Sequence, residues 1–370
     1  MKKKNLSKKL INTSYLARYF FLNKVDLSDY RIFPSRAIEN TETHYSFSKF
    51  ENRHLFSSNL DRIIPQRQID HYGSLDQFLE KKGTTAFLVI HDDKLVYERY
   101  FNGFNRSSIC TSFSVSKSFA SALIGIALNE NLIQSLDDSI SKYLPELSAP
   151  FWADISIRHL LSMSSGLKYD QNGFLPWNDE PRVYYSLNLR QLAMRAKKQE
   201  TPGNQFHYNN YNLILLGMVI ERVSDVSVSE FLQEKLWKPL GMTYPASWSL
   251  DSELSGMEKM ESGLNARAID YAKFGRLYLQ KGNWDGKQII PESWIIESTT
   301  IDSNAKWDNY KYLWWVSRKN KGRYLAVGNL GQFIYVVPDK NCLILRFGRG
   351  KPRDWKTFYP QLFSKIADIL

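Results

Sequence analysis

The chain has 370 residues and a mass of 43.2 kDa, with 43% hydrophobic and 24% charged residues, an ordinary globular composition with room for one large or two ordinary domains. The net charge is +11, but Lys2, Lys3, Lys4, Lys8 and Lys9 crowd the first ten residues and leave +6 for the rest, too diffuse to argue for a nucleic-acid partner. Cys110 and Cys342 are the only cysteines, which excludes a disulfide scaffold and a Cys-based zinc site; no HExxH or comparable His cluster appears, so neither metal nor cofactor is expected.

Residues 1–70 show little periodicity and read as an extension wrapped on the body. The apolar stretch from Tyr15 to Val25 is broken by Arg18 and Lys24, no small-residue cleavage site follows it, and no run of roughly 18 apolar residues exists. The expectation is a cytoplasmic protein. A weak membrane-surface contact through the Lys-rich start, or export, are the competing readings.

A short helix is expected from Ser74 to Lys82, capped by Ser74 and ended by Gly83. Thr84–His91 and Lys94–Phe101, joined by Asp92-Asp93, predict a β-hairpin. Ser114–Asn129 predicts a buried helix, with Phe119, Leu123, Ile126 and Ala127 at helical spacing. Further helices are expected at Ile157–Ser162, Asn212–Val223, Val228–Leu236 and Ala268–Gln280. Short strands follow at Tyr324–Val327, Phe333–Val337 and Cys342–Arg346, then a final helix at Trp355–Ile369. Strands near both ends with helices between predict an α+β fold. An antiparallel sheet built from 71–113 and 256–370 is flanked by helices, with an all-helical subdomain, 114–255, inserted.

Ser114-Val115-Ser116-Lys117 puts a hydroxyl and an amine three residues apart on one helical face, where the amine can take the serine proton. The spacing alone is weak, because Ser46/Lys49, Ser139/Lys142, Ser165/Lys168 and Ser303/Lys306 share it. Ser114 differs by opening a long apolar helix. The alternative is a capping serine beside a solvated lysine. A second element, Thr201 to Asn210, is a Gly-Pro loop ending in Tyr208-Asn209-Asn210 before an apolar helix. Tyr208 could shuttle a proton there, and Asn210 could orient Lys117 or a substrate carbonyl. A third, Gly328-Asn329-Leu330-Gly331-Gln332, lies between two predicted strands, where the Gln332 N–H could join that of Ser114 as an oxyanion hole; a plain β-turn is the alternative.

In this order the motifs resemble the serine hydrolases of the class C β-lactamase and penicillin-binding protein superfamily, most of all its 6-aminohexanoate-dimer hydrolases and related carboxylesterases. The resemblance runs from about Thr84 onward. It includes Ser135-Leu136-Asp137-Asp138, Tyr143-Leu144-Pro145-Glu146, the Ile157–Leu167 segment, Asp270–Leu277 and Trp314-Trp315. It implies a β-lactamase/transpeptidase-like fold, with Ser114 as acylated nucleophile, Lys117 as general base, Tyr208 as proton shuttle and Asn210 as a supporting group. Tyr169 falls where such enzymes place a substrate-contacting tyrosine, with Asp170 and Asp179 looser candidates. His159 reads as a buried structural histidine, and His207 as no closer than a second layer.

Relatives with β-lactamase or DD-peptidase activity carry Lys-Thr-Gly where this chain has Asn329-Leu330-Gly331, so a cation that would meet a substrate carboxylate is missing unless Arg346 or Arg349 replaces it. The resemblance therefore implies a small-molecule esterase or amidase ahead of a β-lactamase. A cell-wall DD-peptidase or D-amino-acid esterase, and a catalytically silent binding module of the same fold, are the other readings.

Overall fold

The computed structural model describes residues 13–22, 25–50, 60, 73–171, 173, 175–302, 306–307, 309–316, 322–350 and 355–370. The chain opens with α1 (Thr13–Leu22), β1 (Ser35–Ile38) and β2 (Ser48–Lys49). The expected short helix is α2 (Leu75–Lys81), and the Ser74 side chain accepts the Gln77 N–H as its cap. The predicted hairpin forms as β3 (Thr84–His91) and β4 (Lys94–Tyr100). Asp92 and Asp93 both take positive φ, 49° and 58°, the tight turn whose twist matches that of the strands it joins.

Next come β5 (Ile109–Thr111), a 3₁₀ turn at Phe113–Val115 and α3 (Ser116–Asn129). The helical stretch holds α4 (Ile140–Tyr143), α5 (Ile157–Leu161), α6 (Asp179–Tyr185), α7 (Leu189–Met194), α8 (Asn210–Ser224) and α9 (Val228–Leu232). The helix expected over Val228–Leu236 changes to π-helical winding at Gln233–Trp237, a change that apolar spacing does not register. The rest comprises β6 (Ala246–Ser249), β7 (Leu264–Arg267), α10 (Ala268–Leu279), β8 (Asn283–Trp284), β9 (Lys287–Gln288), α11 (Glu292–Thr299), β10 (Tyr310–Lys311), β11 (Trp314–Val316), β12 (Tyr324–Gly328), β13 (Gln332–Val337), β14 (Cys342–Gly348) and α12 (Trp355–Asp368).

The main sheet has eight strands in the order β10-β11-β12-β13-β14-β3-β4-β2. Its pairings are antiparallel except that β2 runs parallel to β4, so the all-antiparallel expectation fails at that edge. Strand β3 shows why the sheet lies between layers. Its Leu88 and Ile90 join one apolar cluster with α3 and α10, while Phe87 and Val89 join another with α2 and α12. An apolar run without polar alternation is what a strand covered on both faces requires.

A second sheet, β1-β6-β7-β5, carries the backbone into the Ser114 turn, since β5 pairs with β7 and ends two residues before Phe113. Its outer strand comes from the N-terminal segment: Ser35–Ile38 pairs with Ala246–Ser249. The lysines at positions 2–9 lie outside the described residues.

Candidate active site

Ser114 sits in the 3₁₀ turn that precedes α3, and the residue before it, Phe113, holds φ of 45° while wholly buried. A bulky residue seldom adopts that conformation, which here turns the chain sharply from β5 and leaves the Ser114 hydroxyl half-buried at the helix start. The turn is pressed by β12 from the far side. Gly328 has ordinary extended dihedrals, but a Cβ on it would overlap the Ser112 carbonyl oxygen, so the absent side chain lets the strand pass.

Lys117 follows one turn along α3 with its side chain fully buried. Its Nζ lies 2.9 Å from Ser114 Oγ and donates to the Glu261 carbonyl at 2.7 Å. The Tyr208 ring stands over the same ammonium with its centroid 5.0 Å away. Tyr208 is in turn stacked on Trp315 at 6.2 Å and met edge-on by Tyr310 at 6.1 Å. Three segments distant in sequence thus meet around one amine.

The other Ser-x-x-Lys matches are occupied differently. Ser139 accepts the Ser141 N–H as a helix cap while Lys142 pairs with Asp138 at 2.9 Å. Ser165 donates to Asn212 Oδ1 at 2.7 Å, Ser46 and Lys49 lie exposed beside β2, and Ser303 is outside the described residues.

The Tyr-x-Asn segment is positioned by its middle residue. Asn209 accepts the Tyr211 N–H to cap α8 and donates to the Leu167 carbonyl, which leaves Asn210 for other work. Asn210 was expected to orient Lys117 or a substrate carbonyl; it makes no bond to Lys117, its Nδ2 donating to Tyr169 Oη and Glu180 Oε2, both at 3.0 Å, and its Oδ1 is buried with no protein partner. Tyr169 donates to the same Glu180 oxygen at 2.5 Å. The Tyr169 ring, expected to contact substrate, is buried, and its hydroxyl is taken up by Glu180 and Asn210. Burial pushes the Glu180 carboxyl above its ordinary range, while the Tyr169 hydroxyl and the Lys117 charge pull it back.

At the third motif, Asn329–Gly331 forms a hairpin tip, with Leu330 at φ 58° and Gly331 at φ 82°. Gln332 is fully buried: its Nε2 donates to the Asn329 and Gly348 carbonyls, and its Oε1 accepts the Gly348 N–H. Its side chain therefore clamps the hairpin to β14. Arg346, one of the two arginines that could have replaced the missing cation, does not face the site as a free charge. It is buried beneath the same hairpin, donates to Thr84 Oγ1 and to the carbonyls of Lys82, Leu330, Gly331 and Gly350, and lies 4.2 Å from the Tyr359 ring centroid. Arg349 turns to Asp26, 3.7 Å away, and to the Phe104 ring.

A beta-lactamase family model matches residues 75–355, a span that takes in all three motifs. The chain belongs to the beta-lactamase family. This family member is 23% identical over 321 residues to the 6-aminohexanoate-dimer hydrolase of Paenarthrobacter ureafaciens, with 80% of each chain covered. A Bacillus anthracis protein named after the same activity has a solved structure that matches at TM-score 0.82 and 25% identity, over 100% of this chain and 98% of that one. The octameric penicillin-binding protein homologue from Pyrococcus abyssi matches in fold at TM-score 0.62 and 22% identity, over 83% of this chain and 77% of that one.

Around the motifs, this beta-lactamase family member carries groups that sequence reading did not single out. Glu180 shows no signal beyond an acidic helix start, and Glu261 contributes a backbone carbonyl, which any residue could supply. Trp315 was legible only as framework. His159 is structural as expected but only half-buried: its backbone N–H donates to Ser156 Oγ and its Nδ1 accepts the Ser156 N–H, a reciprocal cap on α5. His207 donates its backbone N–H to the Met163 carbonyl and faces Tyr169 at 6.4 Å between ring centroids.

Proposed function

We propose that this chain is a serine hydrolase that cleaves small esters or amides through a covalent acyl-enzyme on Ser114. The observation that carries the reading is the 2.9 Å contact between Lys117 Nζ and Ser114 Oγ, made by a buried lysine at the foot of a buried helix. In its unprotonated form Lys117 takes the hydroxyl proton as Oγ attacks the substrate carbonyl carbon. The oxyanion that forms is met by the Ser114 N–H and by a backbone N–H from the β12–β13 hairpin that borders the turn. Collapse breaks the bond to the leaving group, whose oxygen or nitrogen receives a proton by way of Tyr208. Water then attacks the ester on Ser114, the same groups carry its proton back to Oγ, and the acid departs.

An ester or amide with no carboxylate beside the scissile bond suits the site better than one that carries a carboxylate there. The motif position that would hold a lysine is Asn329, and the nearby Arg346 and Arg349 are engaged elsewhere. Similarity to 6-aminohexanoate-dimer hydrolase supports an amide, one whose own carboxylate is separated from the scissile bond by a chain of methylene groups. The decisive test pairs p-nitrophenyl ester turnover with intact-mass analysis after fluorophosphonate treatment. The native chain should gain one adduct at Ser114 and turn over the ester; Ser114→Ala should do neither while melting as a folded protein. Ester turnover retained by Ser114→Ala would remove the mechanism, and nitrocefin consumed faster than esters would move the substrate class to β-lactams.

A further inference from the structure

Helix α1 inverts the usual arrangement of a surface helix. Tyr15 and Tyr19, one turn apart, are buried in a small cluster with Phe33 and Tyr185. Arg18, the only charged residue of the helix, also turns inward: it donates to the carbonyls of Ser186 and Asp251 at 3.2 and 2.6 Å and lies over the Phe33 ring. What remains outside is Ser14, Ala17, Phe20 and Phe21, with the two phenylalanines 66% and 86% exposed. A helix packed on a soluble body keeps its charges on the outer face; this one presents aromatic rings there.

The neighbouring surface continues the pattern. Tyr15 Oη donates to the Pro176 carbonyl at 2.6 Å and so fixes the 175–177 turn against the first part of α1. The residues on either side of that proline, Leu175 and Trp177, are 52% and 54% exposed. Four large apolar side chains thus project from two tethered segments. Single exposed apolar residues are commonplace, but two adjacent exposed phenylalanines on the outer face of one helix, with two more exposed apolar residues on the turn tethered to it, mark an interaction surface.

The charges in the sequence around α1 select the partner. Lys2, Lys3, Lys4, Lys8 and Lys9 precede the helix and Lys24 follows it, and the first acidic residue of the chain is Asp26. Aromatic residues on the outer face, with lysines before and after, fit the interface of an anionic bilayer, where rings enter the headgroup boundary and ammonium groups meet lipid phosphates. We propose that α1 and the 175–177 turn form a docking face for an anionic lipid surface. Through α6, which α1 packs against and which carries Glu180, this face adjoins the elements around Lys117.

The test is sedimentation of the full chain with vesicles, comparing phosphatidylcholine alone with phosphatidylcholine containing phosphatidylglycerol, at low and high salt. Binding is expected on the anionic vesicles at low salt. Phe20→Ser with Phe21→Ser, or replacement of Lys2, Lys3, Lys4, Lys8 and Lys9 by Gln, should each weaken it by on the order of tenfold or more. Phe20 and Phe21 project outward from α1 and none of the replaced residues is assigned a part in the reaction, so ester turnover without lipid should be unchanged, which confirms folding and keeps the result independent of the catalytic reading. Failure of the native chain to sediment, or sedimentation indifferent to the Phe20/Phe21 pair, would overturn the proposal. Concentration-dependent self-association without lipid, abolished by the same pair, would overturn it in favour of a second copy of the chain.

Discussion

Gly328→Ala is the sharpest probe of how the nucleophile is held. The dihedrals at Gly328, φ −122° and ψ 158°, suit alanine, so backbone preference alone makes the change neutral or mildly stabilising. The new methyl, however, would overlap the Ser112 carbonyl oxygen two residues before Ser114, and both partners belong to backbone that cannot rotate away. Restoring van der Waals distance requires β12 and the Ser114 turn to separate by roughly 1 Å, a displacement that in a catalytic constellation costs on the order of 10²-fold in rate. Overpacking of this kind also costs about 1–3 kcal/mol of stability.

The matched control is Gly275→Ala in α10, whose methyl would meet Leu343 Cδ1 at 2.5 Å, the end of a side chain remote from the site. Steady-state p-nitrophenyl ester kinetics and urea unfolding should be measured on both variants. The expected result is a smaller loss of stability in Gly275→Ala, where side-chain ends can shift and alanine favours the helix, with kcat falling only in Gly328→Ala. If Gly328→Ala keeps kcat within about threefold of the native chain, where a displaced catalytic group should cost far more, then β12 does not set the position of Ser114.

Tyr208→Phe keeps the ring that covers Lys117 and removes only the hydroxyl, so ester kcat should fall by roughly 10²–10⁴-fold with little change in melting temperature; near-native turnover would eliminate the shuttle. Asp29, buried and bonded to Tyr184, is pushed up to about 6 from 3.8, mainly by burial. Because the folded chain holds that proton more tightly, ionisation costs stability as pH climbs from about 4 past 6 and nothing below about 4. Asp29→Asn should therefore leave unfolding unchanged at low pH and stabilise by up to about 3 kcal/mol above pH 6; denaturant melts at several pH values check both the sign and the window. Burial pushes the Cys110 thiol up to about 12 and raises that of Cys342 as well, so both should react with Ellman's reagent at pH 8 only after unfolding.

The elements that sequence reading located are those whose periodicity or turn chemistry is local. The Asp92-Asp93 hairpin, the apolar spacing of α3 and the Ser74 cap each carry their own physical cause within a few residues. Strands β1, β6 and β7 went unread because their partners are remote: Ala37 faces Ser247 only after the chain has returned from far away, and four-residue segments with mixed burial leave no alternation to detect. At the site, the Ser114/Lys117 pair was legible because one helical turn sets it. The bonds of Asn210 to Tyr169 and Glu180 were not, since they join three segments that only tertiary packing brings together. The place of Arg346 stayed open for a related reason. Strand residues alternate between faces, and nothing in the sequence told which side of β14 faced α12.

The pairing of β1 with β6 has a practical corollary. The span matched by the family model begins at residue 75, and cutting the chain there would strip the outer strand from the sheet that leads into the nucleophile turn. Ala246–Ser249 would then present unpaired amides and carbonyls along a bare flank, an invitation for a second molecule to add its own strand. A trimmed version of the protein should therefore be judged by its tendency to clump as much as by its turnover.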